Sequence, residues 1–390
     1  MGLITVFLKK NQNFKNMNLK LTRLIIPVFL LMFAETSLAQ SGKENPITTA
    51  VPFLRLATDA RAAGMGDVGV ATDPDANSLF YNGAKTAFNE NKYGIGITYT
   101  PWLSELDLKN INQISLGAFY KLSDKEAISF GFRNFNQGTF SFTDATGTEL
   151  STFKPRDLAI EAGYSRKLSN KSGIGLNVRY IHSRLANNSI NSDYKAGNAF
   201  AADLSWFYTK KAWNFGVALT NLGTKIKYGG EPNYIPANLA LGAAYNKKIN
   251  SDNKISFAID FNKLLVPTPP DPTNAQKVAD YNNKSVVGSW FSSFGDAPNG
   301  GSEELKEVQL GFGAEYMYKE LFSLRAGYFT ENKLKGNRNY LTVGAGLHYK
   351  VTGLNFSYLV PTGNNTNDNA LKNTFRLSLL FDFKNATASK

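Results

Sequence analysis

Apolar and polar residues alternate along most of this chain. Between Asn112 and Tyr120, Ile114, Leu116, Ala118 and Tyr120 share one face, and Gln113, Ser115 and Gly117 share the other. Val308, Leu310, Phe312, Ala314 and Tyr316 alternate with Gln309, Gly311, Gly313 and Glu315. Near the end, Phe375, Leu377, Leu379, Phe381 and Phe383 alternate with Thr374, Arg376, Ser378 and Asp382. A period of two means strands whose faces meet different surroundings. Fourteen such segments are predicted, at 93–100, 111–122, 126–140, 156–168, 172–185, 196–210, 212–222, 237–249, 253–265, 305–318, 321–329, 340–349, 354–360 and 373–383.

A soluble sandwich would alternate in the same way, so the turns decide. Short connections such as Ser123-Asp124-Lys125, Ser169-Asn170-Lys171 and Lys319-Glu320 alternate with long ones at 101–110, 141–155, 186–195, 223–236, 266–304, 330–339 and 361–372. Short turns on one side and long loops on the other are the pattern of outer-membrane barrels. An even strand count returns both ends to the short-turn side, so the termini are expected in the periplasm and the long loops outside the cell. The polar faces carry Arg133, Arg179, Arg325 and Arg376 together with Glu161, Asp203, Asp260, Glu315 and Asp382. An Arg on a lipid-facing wall costs about 2–4 kcal/mol at mid-membrane, so these faces must line the lumen. Aromatics near strand ends, among them Trp206, Phe207 and Tyr208, Tyr316 and Tyr318, and Phe381 and Phe383, suit interfacial girdles. The predicted fold is all-β, a fourteen-stranded antiparallel transmembrane β-barrel.

The stretch before the barrel, FLRLATDARAAGMGDVGVATDPDANSLFYNGA at 53–84, obeys a different rule. Phe53, Leu56, Ala60 and Ala63 recur at helical spacing, and Gly64 would end the helix in the left-handed conformation. Asp73-Pro74-Asp75 begins a turn, and Phe80 to Ala84 start a second short helix. About three turns are too few to stand alone. The segment needs a host surface, and the barrel lumen supplies one. The charges of the lumen are expected to neutralise one another or to pair with Arg55, Asp59 and Arg61. The predicted organisation is a leader at 1–39, an N-terminal leader and lumen plug at 40–90, a barrel at 91–384 and a periplasmic tail at 385–390.

Within the first 39 residues, Lys20 and Arg23 precede an apolar run from Leu24 to Phe33, and Ser37-Leu38-Ala39 follows. This reads as an export signal cleaved before Gln40, its apolar run too short to span a membrane. Met17 fits the start of that signal better than Met1. The net charge is +12, and removing the leader leaves 38 basic against 30 acidic residues, or +8. That surplus suits an anionic surface such as outer-membrane lipid or lipopolysaccharide. No dense basic cluster interleaved with aromatics points to nucleic acid.

Candidate chemistry is sparse. There is no cysteine, so thiol catalysis, disulfides and thiolate metal sites are excluded. Asp73, Asp75 and Asn77 start like a calcium loop, but Ser78 and Ala84 stand where Gly and Glu are needed. His182 and His348, the only histidines, fall on different strands and read as polar lumen residues rather than metal ligands. No nucleophile elbow or phosphate-binding loop occurs. No cofactor, metal or catalytic constellation is therefore expected. The 266–304 loop is more informative. It opens on VPTPPDP, with Pro269 and Pro270, and carries Trp290, Phe291 and Phe294. Large aromatics on an outer loop serve either as a lid over the mouth or as partner contacts. Trp102, in the first long loop, is a weaker candidate of the same kind.

The 53–84 stretch, with its D-A-R-A-x-G-M-G core at Asp59 to Gly66, resembles the N-terminal motif of the FadL-like outer-membrane barrels, most closely the PorV family of type IX secretion in Bacteroidetes. The strand count agrees, so the resemblance covers the whole mature chain. Its motif maps onto Asp59, Arg61, Gly64, Gly66 and Asn82. The wider family has Asn-Pro-Ala where this chain has Asn82-Gly83-Ala84, a departure that points away from a fatty-acid carrier. The resemblance implies a non-enzymatic role in protein export. Such barrels receive the C-terminal signal domain of cargo from a large outer-membrane translocon and deliver it to sortase-like attachment machinery at the cell surface. Passive transport of hydrophobic small molecules is the alternative the wider family implies.

Overall fold

The computed structural model describes residues 44–102, 110–144, 146–186, 194–363, 371–372 and 374–384. The predicted leader at 1–39, with Met17, and the tail at 385–390 lie outside the described residues. Sixteen strands follow in chain order: β1 (Tyr93–Pro101), β2 (Ile111–Lys121), β3 (Glu126–Gln137), β4 (Phe140–Thr143), β5 (Glu149–Phe153), β6 (Arg156–Lys167), β7 (Ser172–Arg184), β8 (Gly197–Lys210), β9 (Trp213–Gly223), β10 (Asn238–Lys248), β11 (Asn253–Leu264), β12 (Gln309–Tyr318), β13 (Phe322–Thr330), β14 (Asn339–Tyr349), β15 (Thr352–Pro361) and β16 (Phe375–Phe383). All but β4 and β5 pair with their neighbours in one closed barrel of fourteen strands. β1 closes antiparallel on β16, from Tyr93 opposite Phe383 to Tyr99 opposite Leu377. Strand β3 pairs directly with β6, which leaves β4–β5 as a separate hairpin in the loop between them.

The wall is inverted relative to a soluble protein. In β1, Tyr93, Ile95, Ile97 and Tyr99 are 39–45% exposed while Gly94, Gly96, Thr98 and Thr100 are buried. Arg133, Glu161, Arg179 and Glu315 face inward at 1–3% exposure. Charged side chains are almost never so buried unless paired. A wall with apolar residues outside and paired charges inside has hydrocarbon as its outer solvent. On one side the strands join through tight turns. Between β12 and β13 the two central residues, Lys319 and Glu320, both have positive φ, 53° and 55°, as a type I′ hairpin turn demands.

Helices appear inside the lumen and at its long-loop end. Helix α1 (Ala60–Ala63) lies in the N-terminal segment, and α2 (Ala275–Asn283), α3 (Val286–Ser292) and α4 (Gly301–Lys306) lie in the long β11–β12 loop. The Asn274 side chain caps α2 by accepting from the Lys277 N–H, and that of Ser285 caps α3 by accepting from the Gly288 N–H. Residues 305–308, predicted as the start of a strand, instead complete α4 and its exit, and β12 begins at Gln309. Two side chains face the other way from expectation. His182 lies on the outer face of β7, its Nδ1 2.9 Å from Asn198 Oδ1; near the strand end, polar residues meet the interface rather than hydrocarbon. Phe207 points inward, fully buried, with its ring 5.3 Å from that of Phe88. It fills space beside the plug and belongs to no girdle.

Candidate functional site: a filled lumen beneath an apolar loop tip

The N-terminal segment packs inside the barrel because its residues are small where the wall is glycine. Helix α1 has one turn. Asp59 caps it, accepting from the Arg61 and Ala62 N–H groups at 2.9 Å each. The longer helix predicted from Phe53 does not form: Pro52–Arg55 make a 3-10 turn, Leu56 is extended, and the helix restarts at the cap. Gly64 has φ −71° and is not left-handed. The reversal falls on Gly66 and Asp67, with φ 71° and 62°. A side chain at Gly66 would come within 2.4 Å of the Phe312 carbonyl, and one at Gly327 within 2.1 Å of the Gly66 nitrogen. Gly311 and Gly313 likewise face the carbonyls of Gly66 and Met65. Backbone therefore packs on backbone, which only glycine on both sides permits.

Hydrogen bonds then fix the segment to strands around the circumference. Ala60 N donates to Ser378 Oγ on β16 at 2.8 Å, and Gly66 N to Thr342 Oγ1 on β14 at 2.9 Å. Gly69 and Val70 N–H groups both donate to Asp260 on β11. Leu79 and Leu54 carbonyls accept from Asn177 on β7 and Arg133 on β3. Asn82 is buried at the centre of the second half. Its Oδ1 accepts from Ala84 N, and its Nδ2 donates to the carbonyls of Val70 and Trp206. Gly83 leaves room for Asn177, whose Oδ1 lies 2.7 Å from where a Cβ would stand.

The buried charges close into two chains. Arg61 spans Glu315 on β12, at 3.1 and 2.9 Å, and Asp75 at 3.2 Å, and Glu315 also accepts from Arg325 at 2.7 Å. The second chain runs along the wall: Arg133 to Glu161 at 2.6 Å, Glu161 to Arg179 at 2.5 Å, and Arg179 to Asp203 at 2.7 Å. Arg55 reaches Glu331 at 3.8 Å. Asp59, expected to pair with the wall, spends its side chain on the cap. Asp73 is tied to Lys254 and accepts from Asn214 and Asn246. Among the described residues no group of acids and histidines has the arrangement of a metal site.

At the other end, the β11–β12 loop is clamped to the rim. Lys263, near the end of β11, meets Glu304 at 2.9 Å and Glu307 at 2.6 Å. Lys335, in the β13–β14 loop, meets Glu303 at 2.6 Å and Glu307 at 3.0 Å. Burial opposes both charges of the Lys335–Glu303 pair, and their mutual contacts outweigh it. The Glu303 carboxyl is held below its ordinary value and the Lys335 ammonium above its own. Burial pushes the Asp296 carboxyl up.

The loop candidates divide. Trp290 is half-buried, lining the same small crevice as Thr224, Tyr234 and Val266, and its buried Nε1 finds no acceptor among the described residues. Phe291 is 76% exposed, Phe294 52% and Val287 54%. Val287 and Phe291 stand four residues apart on one face of α3. Pro269, Pro270 and Trp102 are half-buried, and most of Trp102's loop, 103–109, lies outside the described residues. Beside this loop a groove of about 680 Å³ opens on the outer wall, lined in part by Phe130, Val178, Phe200, Leu222, Val287 and Trp290. It adjoins a break in the β8–β9 register between Ala202 and Leu204, where Asn221 takes φ 56° and its N–H donates to Asp203. Lumen-facing glycine was the missed signal of plug seating; Gly311, Gly313 and Gly344 all fall on polar faces in the sequence.

A closed even-numbered barrel with an apolar exterior and a filled polar lumen is a plugged transmembrane barrel of the outer-membrane kind. More particularly, the chain belongs to the PorV family: the family described as type IX secretion system protein PorV matches residues 39–271. Helices α2–α4 and strands β12–β16 lie beyond the matched residues. Among solved structures the chain is similar to CymD, described as a monoaromatic hydrocarbon channel, with 12% identity over 84% of this chain and 98% of that one and a TM-score of 0.50. It is also similar to the Ralstonia pickettii toluene transporter TbuX (11% identity, 83% and 98% covered, TM-score 0.48) and to a Pseudomonas aeruginosa FadL homologue (11%, 87% and 100%, 0.44). At 12% identity the likeness to CymD speaks to the fold alone. No curated protein matches the chain.

Proposed function

We propose that this barrel is a non-enzymatic carrier in type IX secretion. It binds the C-terminal signal domain of cargo at the outer-membrane translocon and hands it to the sortase-like attachment machinery at the cell surface. In this reading the long loops are extracellular, the C-terminus periplasmic, and no nucleic acid is involved. The N-terminus, expected in the periplasm too, instead enters the described structure at the long-loop end, where Asn45 N donates to the Leu334 carbonyl and Ala50 N to that of Tyr234. Residues 1–39 are upstream residues and an export signal that starts at Met17. What carries the reading is the contrast within one chain that matches the PorV family over most of its first two-thirds. The lumen is occupied by the chain's own segment, which leaves contact rather than passage as the available activity. Exposed Phe291 and Phe294 offer the apolar anchors a partner would cover. Trp290, Pro269 and Pro270 hold that tip in place, and Trp102, in the first long loop, adds a separate contact. Affinity isolation of the tagged protein from native membranes tests this. Recovery of a much larger channel and of secreted cargo is expected; recovery of neither would overturn it.

The outer groove favours a second reading, passive transport of hydrophobic small molecules, since its apolar lining of about 680 Å³ suits an aliphatic chain. Uptake of labelled long-chain fatty acid by proteoliposomes would support it, and absence of uptake would retire it.

A further inference from the structure

The chain's positive surplus has an address. Every short turn of the barrel carries an exposed lysine, either within it or on the strand end that enters it: Lys125, Lys171, Lys211, Lys319 and Lys350 in the turns, and Lys248 as the last residue of β10. Arg166, Lys210 and Lys247 double three of these positions. Against them stand the exposed Glu90, Asp124 and Glu320, while Glu126 and Asp252 lie 3.4 and 3.9 Å from Arg166 and Lys319. At the long-loop end, exposed charges of both signs mix among the described residues, as with Lys154, Lys227 and Lys277 beside Glu149, Glu231 and Asp280.

Two further features say what the ring meets. It is annular, present at each turn rather than gathered on one side. It also sits directly on an aromatic girdle. Lys319 and Lys350 lie over the rings of Tyr318 and Tyr349, 5.3 Å from each centroid, and Lys92 lies 4.9 Å from that of Tyr120. All three tyrosines are on the outer wall and exposed. Outward tyrosines mark the depth at which a bilayer's headgroups begin. Ammonium groups held just beyond them sit at phosphate level, all the way round. A docked protein would be met on one face; a lipid leaflet is met on all of them.

We propose that the short-turn rim is a binding surface for anionic glycerophospholipid, each lysine pairing with headgroup phosphate, so that the barrel draws an anionic annulus in that leaflet. With the short turns in the periplasm, as proposed above, the leaflet is the inner one. The long-loop side carries no comparable ring among the described residues. The lipid preference itself can be measured without knowing orientation, so failure of one reading leaves the other testable.

The experiment uses the full barrel reconstituted with spin-labelled phosphatidylglycerol or phosphatidylcholine, comparing the immobilised fraction of each. Phosphatidylglycerol is expected to associate severalfold more, falling toward parity in about 1 M salt, where the screening length is about 3 Å. The combined variant K125Q, K171Q, K211Q, K248Q, K319Q and K350Q should lose the preference, and the matching Lys→Arg variant should keep it, which separates lost charge from misfolding. Lys154→Gln, Lys227→Gln and Lys277→Gln together should change nothing. Equal association of the two lipids with the unmodified barrel would overturn the proposal, as would a preference surviving in the six-site Gln variant. Equal association accompanied by salt-sensitive binding of an acidic protein would assign the ring to a protein partner instead.

Discussion

The plug and the loop tip are built on opposite terms. The plug, within 53–88, is small, glycine-rich and charged; Arg61 and Asp73 meet partners on the wall, while Asp59 and Lys85 are satisfied within the plug itself. The tip around α3 is aromatic; its base is held by Lys263, Lys335 and three glutamates and by the Tyr234 hydroxyl on the Tyr281 and Lys284 carbonyls, while Phe291 and Phe294 remain exposed. Burying a charge is tolerable when it is paired, and exposing large apolar groups is tolerable when a partner will cover them. The first region therefore has its partners within the chain. The second has a surface without one.

Substitutions should separate the two regions, beginning with the largest effect. Gly66→Val puts a branched side chain into a left-handed position 2.4 Å from the Phe312 carbonyl. It should abolish seating of the plug, read as loss of the folded species that migrates differently on gels before and after boiling. Arg61→Ala leaves Glu315 short of one cation and Asp75 of its partner, and should cost about 3–5 kcal/mol in denaturant unfolding. Phe291→Ala with Phe294→Ala should leave stability within about 0.5 kcal/mol while weakening partner capture roughly tenfold or more. Trp290→Ala should instead loosen the loop. If Phe291→Ala with Phe294→Ala destabilised the barrel as Arg61→Ala does, the distinction between the regions would collapse.

A smaller effect is expected from pH. Glu303 has a lowered value when folded, so its contribution is full above the ordinary glutamate value of about 4.3 and is lost as pH falls through the folded value. Lys335 has a raised value, so its contribution is full below about 10.4 and is lost as pH rises through the folded one. Asp296, raised by burial, opposes the acid limb by favouring the folded loop as it protonates. The clamp should hold from about pH 5 to about pH 10 and release at both ends, more gently in acid. The difference in emission between the wild type and Trp290→Phe reports it. A signal flat across both limits would mean that these pairs do not hold the loop.

Much of the barrel was legible because period-two alternation and turn length are local signals. The fourteen wall strands fall within a few residues of their predicted ends; β12 was predicted from 305, where Glu303, Glu304 and Glu307 instead anchor a helix. The hairpin β4–β5 was missed because four- and five-residue strands inside a polar loop give too few periods. Helices α2 to α4 were hidden behind a proline-rich opening. In the plug, the motif positions were legible but their roles were not. Gly64 and Gly66 look equivalent in sequence, and only the approach of Phe312 and Gly327 makes Gly66 the left-handed one. The loop aromatics could be picked out as a group, while which of them turns inward depends on the crevice beside Tyr234, which no local pattern reveals.

The central claim is that the lumen is closed by residues 44–92 and that activity lies outside it. Conductance of the purified full-length protein in planar bilayers tests this most directly. No steady channel is expected from the wild type, and deletion of the plug should open one. A stable, ion-conducting pore in the wild-type protein would contradict the account.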